Sequence, residues 1–119
     1  MAEAKTHHGS CHCGNVKYEV TTDLAKVMEC NCSHCSRKGF LLTFVPAEQF
    51  KLLAGEDATT TYHFHKRHID HMFCKTCGVQ SYARAKSPDG KETYAVNARC
   101  LEGVEPSTLT ITPVNGRAF

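Results

Sequence analysis

No run of apolar residues in this chain is long enough to cross a membrane. The longest is Phe40-Leu41-Leu42, followed by Thr43, Phe44 and Val45, and a spanning helix needs about 20 apolar residues. A strong charge of either sign is also missing. The formal net charge is +2, which leaves no electrostatic case for nucleic acid or an anionic lipid surface as partner. Met1 to Ser10 is polar and charged, without the apolar stretch of a signal peptide, so the expected location is cytoplasmic. Internal repeats, low-complexity tracts and linkers are absent as well. At 119 residues the chain has room for one domain with a modest core. Its apolar share of 41% is slightly low, and structural metal is a plausible further source of stability.

What the chain does have is eight cysteines. Seven stand in three runs: Cys11-His12-Cys13, Cys30-Asn31-Cys32-Ser33-His34-Cys35 and Cys74-Lys75-Thr76-Cys77. A disulfide framework fits poorly. A bridge within Cys-x-Cys would close a small strained ring, and chelate spacing in a chain that stays in the cytosol reads as metal binding.

The strand pattern is dense. Val16, Tyr18 and Val20 alternate with polar residues. Val27-Met28 leads into the second cysteine run, and Phe40 to Val45 reads as a buried strand. Thr59 to His65, His68 to Phe73, Val79 to Ala85, Glu92 to Asn97 and Leu109 to Ile111 complete the set. The turn sequence Ser87-Pro88-Asp89-Gly90 makes a hairpin of residues 79–85 and 92–97. Pro46 to Leu53 reads as the one short helix, with Pro46 in its first turn and Gly55 beyond its end. Residues 1–8 are expected to be a disordered tail, ahead of a single zinc domain at 9–119. Six or seven strands with one helix favour an all-β sandwich, or sheets stapled by metal.

The cysteines divide into four plus three. Cys74-x-x-Cys77-Gly78 is a zinc knuckle supplying two ligands of the four that a structural zinc takes. Cys11 and Cys13 are the obvious other two, and the alternative completes the site with a histidine such as His12. Cys30, Cys32 and Cys35 then offer three thiolates and an open position. Three thiolates on Zn2+ leave a net charge of −1 and a weak Lewis acid. Making hydroxide requires lowering a water pKa from about 15.7 to about 7, whereas a thiol starts near about 8.5. Such a site is better matched to a substrate thiol than to water. Arg37 and Lys38 could offset its charge or hold a substrate carboxylate, or be a solvated basic turn. His34 could relay a proton, although a solvent-facing loop residue is the plainer reading. The alternative for the whole run is a second structural zinc closed by Cys100 or a histidine. Cys100 otherwise reads as a small buried hydrophobe. His63, His65, His68 and His71 are either an extra metal site or cleft wall, or an exposed strand and turn with no special role, and the second reading is preferred.

Gly9-Ser10-Cys11-His12-Cys13-Gly14, the Cys30-x-Cys32-x-x-Cys35 run, Phe73-Cys74-x-x-Cys77-Gly78 and Val96-Asn97-Ala98-Arg99-Cys100-Leu101 together resemble the glutathione-dependent formaldehyde-activating enzyme family, also called the centromere-protein-V family. Asn31 stands where that family often has histidine. The resemblance implies a mainly β, Mss4-like β-tent of small antiparallel sheets stapled by zinc, with one short helix. It implies two Zn2+ per chain: a structural one on Cys11, Cys13, Cys74 and Cys77, and a catalytic one on Cys30, Cys32 and Cys35, with Cys100 left out. The implied activity is a carbon–sulfur lyase or synthase reaction on a thiol or aldehyde substrate, with glutathione and formaldehyde interconverting with S-(hydroxymethyl)glutathione. The competing expectations are a zinc-stabilised binding module without catalysis, and a hydrolase using the same open zinc.

Overall fold

In the computed structural model, residues 4–63, 69–86 and 89–115 are described. They build two sheets. Strand β1 (Lys5–Ser10), β2 (Lys17–Thr22) and β5 (Phe50–Ala54) form a three-stranded antiparallel sheet in the order β1-β2-β5. The second sheet has seven strands: β3 (Val27–Cys30), β4 (Leu42–Pro46), β6 (Thr59–Tyr62), β7 (Ile69–Cys74), β8 (Tyr82–Lys86), β9 (Glu92–Asn97) and β10 (Ile111–Val114), in the order β10-β3-β4-β9-β8-β7-β6. The expected hairpin is there, with β8 paired antiparallel to β9 from Tyr82↔Val96 to Lys86↔Glu92. Its turn residues 87–88 lie outside the described residues. The protein is mainly β, as expected, but it has ten strands among the described residues rather than six or seven. One pair, β10 with β3 at the edge of the sheet, is parallel.

Two local expectations fail for a shared reason. Residues 5–8, expected in a tail, belong to β1. Lys5 faces Thr22 and Ser10 faces Lys17 across the β1–β2 ladder, and the Glu102 amide donates to the His8 carbonyl at 2.8 Å. A polar edge strand has no apolar alternation to announce it; its partner recruits it through the backbone. Pro46 to Leu53 is not a helix. A single 3-10 turn at Ala47–Gln49 gives way to β5. Phe50 and Leu52 alternate as a strand requires, opposite Val20 and Tyr18. The Phe50 ring stacks on Tyr94 at 4.2 Å and 7°, and on Tyr18 at 5.2 Å. Tertiary packing of that ring outweighs the local helix signals. The helix lies elsewhere: α1 spans Ser33–Lys38, within and just after the second cysteine run.

The core sits between the sheets, around the fully buried Tyr18, Val20, Val27, Leu41 and Val96. Gly9 of β1 makes this packing possible. A Cβ there would sit 2.4 Å from Tyr18 Cζ, 2.5 Å from its Oη and 2.6 Å from Cε2. The ring therefore lies flat against the β1 backbone, where only glycine leaves it room.

Candidate metal centres and the helix between two clefts

Cys11 and Cys13 lie in the loop joining β1 to β2. Cys74 ends β7, and Cys77 lies in the turn towards β8. The chain thus brings sulfurs from the small sheet against sulfurs from the large one. All four Sγ atoms lie within 4.8 Å of one another. The Cys11–Cys13 and Cys13–Cys74 sulfur pairs are each 3.6 Å apart. Four thiolates about 2.3 Å from a tetrahedral zinc have edges of about 3.8 Å, so the residues fit such an ion. Backbone amides also point at the sulfurs. Val16 donates to Cys11 Sγ at 3.4 Å, and Thr76 and Cys77 donate to Cys74 Sγ at 3.4 and 3.5 Å. These donors favour thiolates. The Cys77 thiol is lowered to about 6: burial works against ionisation, but hydrogen bonds from the Cys13 and Val79 backbone and from neighbouring thiols outweigh it. Cys13 moves up to about 11, because burial and the crowding of Cys74, Cys11 and Cys77 overcome the hydrogen bond at Asn15 that holds it down. Four thiols so close ionise together only around a cation.

Cys30 ends β3, Cys32 caps α1 and Cys35 lies within the helix. Their sulfurs also group within 4.8 Å. The Cys35 amide donates to Cys32 Sγ at 3.3 Å, which is the N-cap hydrogen bond of α1, and the Cys32 amide donates to Cys30 Sγ at 3.5 Å. A cysteine thus does the capping that serine or aspartate usually does. Gly39 ends the helix in the left-handed conformation at φ 69°, its amide bonded to the Cys35 carbonyl at 2.9 Å. Cys35 is buried, and its pKa is raised by burial, by the Cys32 hydrogen bond and by the charges of Cys32 and Cys30. This donor set also fits a cation.

Each expected site residue falls in its expected cluster, four in one and three in the other. Cys100 joins neither among the described residues. It sits in the 3-10 turn Ala98–Cys100, its Sγ 4.0 Å from the Gln80 carbonyl. Burial and the proximity of Cys11 and Cys77 raise its pKa, so its charged neighbours are those of the first cluster.

Helix α1 carries different groups on its two faces. Cys35, Ser36 and Gly39 look onto a cleft of about 470 Å3 that also includes Glu29, Asn31 and Asn115. Ser33, His34, Arg37 and Lys38 look onto a cleft of about 740 Å3 walled by Tyr62 and Phe73. Spacings of three and four residues put each set on one side of a helix. The C-terminal strand closes the smaller cleft: the Asn31 amide donates to the Val114 carbonyl at 3.1 Å, and Asn31 Nδ2 donates to Asn115 Oδ1 at 3.1 Å.

His34 is not a solvent-facing loop residue. Its ring lies 4.3 Å from that of His71, stacks on Tyr62 at 5.6 Å and approaches Phe40 at 5.7 Å. Burial, then the Lys38 charge, lower its pKa to about 4. His71 is buried too and is lowered to about 4, by burial first and then by His34, Lys38 and His63, with Asp70 opposing. The histidine cluster is therefore not simply an exposed strand. His63 meets Asp70 at 2.7 Å, Asp70 also holds Arg84 at 3.0 Å, and the carboxyl is lowered by His63 and then Arg84 against burial. His65 and His68 lie outside the described residues. Tyr62, Phe73, Gln80 and Asn115 escape a reading by spacing, since strand register brings the first two to α1 and the loop before β8 and the end of β10 bring the others. Tyr62 pairs with His71, so both side chains share a face, and Phe73 follows two residues on.

The family model for glutathione-dependent formaldehyde-activating enzymes matches residues 6–113. The chain belongs to this family. The fold of this chain is similar to that in a crystal structure of a Rhodobacter sphaeroides protein solved by structural genomics. The two share a TM-score of 0.78 and 34% sequence identity, over 89% of this chain and 97% of that one. No helix among the described residues is long and apolar enough to cross a membrane.

Proposed function

We propose that this chain is a zinc-dependent carbon–sulfur lyase or synthase that makes or breaks the adduct of a small thiol and an aldehyde, with glutathione and formaldehyde as the family's named pair. The observation that carries this reading is the three-sulfur cluster beside a polar cleft. Cys30 and Cys35 line that cleft of about 470 Å3 together with Glu29, Asn31, Ser36 and Asn115, an appropriate volume for a small polar ligand. Cys30, Cys32 and Cys35 would hold the reactive Zn2+, and Cys11, Cys13, Cys74 and Cys77 a structural Zn2+ that ties the two sheets. When bound at three thiolates, zinc supplies a position suited to a substrate sulfur or an aldehyde oxygen.

In the synthetic direction a sulfur–carbon bond forms, and the thiol proton ends on the former carbonyl oxygen; the lyase direction reverses both. The cleft residues have matching roles. Asn31, Asn115 and Ser36 offer hydrogen bonds to polar substrate atoms, and Glu29, the one carboxylate among the described residues that line the cleft, would accept and return the proton. The Cys35 amide holds Cys32 in its capping position, which fixes the orientation of the cluster. A reducing compartment, the cytoplasm, keeps such thiols available.

Metal analysis of the purified protein tests this. The wild type should carry two zinc per chain. Cys35→Ser should carry one, keep its fold and lose turnover of the thiol–aldehyde adduct. Unfolding of Cys35→Ser to the same extent as Cys77→Ser would sink the assignment of separate structural and reactive sites.

A further inference from the structure

The larger cleft lies on the other face of α1 from the three cysteines, and none of them lines it. At about 740 Å3 it falls in the range of small-molecule sites, about 300–1,000 Å3. Its chemistry is distinctive. Arg37 and Lys38 form a cationic wall, Tyr62 and Phe73 an aromatic one, and Gly78 brings no side chain into the space. No acidic residue is among the described residues that line it.

Both cations are positioned without being neutralised. Arg37 Nη1 donates to the Ser33 carbonyl at 2.8 Å, and Lys38 Nζ donates to Gln80 Oε1 at 2.7 Å. These partners are neutral, and no carboxylate of a described residue lies within ion-pair distance of either cation. Lys38 is further fixed over the rings of Phe40 and Phe73, with Nζ 5.6 and 5.5 Å from their centroids. One hydrogen bond leaves most of a guanidinium fork and two ammonium protons available. The fork matches a carboxylate with two parallel bonds. Tyr62 presents a half-exposed ring in the same cleft, a surface suited to a flat apolar group.

We propose that this cleft binds a small carboxylic acid with a flat apolar body, its carboxylate on Arg37 and Lys38 and its body against Tyr62 and Phe73. The site is separate from the thiol chemistry across the helix, so its ligand does not compete with a thiol.

Titration of the full-length, zinc-loaded protein with 3-phenylpropionate, followed by two-dimensional NMR, tests the proposal. Saturable shifts should centre on Arg37, Lys38, Tyr62, Phe73 and Gly78. The neutral analogue 3-phenylpropan-1-ol should bind at least about tenfold more weakly, the worth of one charge-assisted hydrogen bond. Arg37→Gln should weaken the acid by a similar factor and leave the alcohol unchanged. Tyr62→Ala, at a half-exposed position that leaves the core intact, should weaken both. Added 2-mercaptoethanol should not displace the acid. The proposal is overturned if the acid does not saturate, if acid and alcohol bind alike, or if the shifts centre on Asn31 and Asn115.

Discussion

Gly9→Ala puts the smallest possible side chain where the core has no space for it. The added Cβ would stand 2.4 to 2.6 Å from two ring carbons and the hydroxyl oxygen of Tyr18, roughly 1 Å inside an ordinary contact of about 3.5 Å. The ring has nowhere to retreat. Tyr18 is fully buried, stacked on Phe50 at 5.2 Å and edge-on to Tyr82 at 5.8 Å, and its hydroxyl donates to the Ser81 carbonyl at 3.5 Å. Relief must come from displacing β1 or expelling the ring. Overpacking of this kind costs about 1–3 kcal/mol, and occasionally more. Loss of the hydroxyl contact adds to it, so we expect about 2–4 kcal/mol. In a domain of this length each kcal/mol moves the melting temperature by roughly 3–6 °C. The melting temperature of the metal-loaded variant should therefore fall by about 6–24 °C. Tyr18→Phe removes one of the three clashing atoms, so the double variant should be less destabilised than the sum of the singles. Gly9→Ala melting within about 2 °C of wild type would refute the reasoning.

Three further outcomes follow from the same geometry. Stripping the metal with a strong chelator should unfold the domain, as should Cys77→Ser, because structural zinc contributes about 10–16 kcal/mol, as much as or more than a domain's whole stability; a native circular dichroism spectrum after metal removal would count against this. His71 should make the protein acid-sensitive. Its folded pKa of about 4 lies below the ordinary 6.5, so its contribution is fully present above about pH 6.5 and is lost as pH falls towards 4. The loss is at most about 3 kcal/mol, and urea midpoints of wild type and His71→Phe, both metal-loaded, should converge or cross between pH 7 and 5; parallel profiles would remove His71 from the account. Asp70→Asn should cost under about 1 kcal/mol, since the His63–Asp70–Arg84 group is a third exposed, and a larger loss in denaturant titration would show that the group does more than surface pairing.

The cysteine grouping was legible because chelate spacing is local: Cys30, Cys32 and Cys35 lie within six residues, and Cys74 and Cys77 within four. Strands with one buried face, such as β2, were legible through alternation. The misreadings occurred where the deciding contact lies far away in the chain. β5 is extended because Phe50 meets Tyr94 and Tyr82, which a window around Pro46 cannot contain. β1 is ordered by β2 and by Glu102. The α1 signals, basic Arg37 and Lys38 followed by Gly39, are present in the sequence, but its cap is a cysteine, and the spacing of the cysteines there marks them only as ligands.

That double use of Cys32 bears on function. As cap it fixes where α1 begins, and as a member of the three-sulfur cluster it fixes where the cluster stands relative to the helix. Six residues of helix make under two turns, too few to carry a broad surface, so each face holds only a few side chains: Cys35 and Ser36 on one, Ser33, His34, Arg37 and Lys38 on the other. The second face is held to the large sheet by a separate set of contacts, the Lys38–Gln80 hydrogen bond and the stacking of His34 on Tyr62. A ligand pressing on Arg37 and Lys38 therefore meets a helix anchored at both faces. The cluster beyond it should stay in place when the larger cleft fills, so the two clefts should act independently rather than as one cavity.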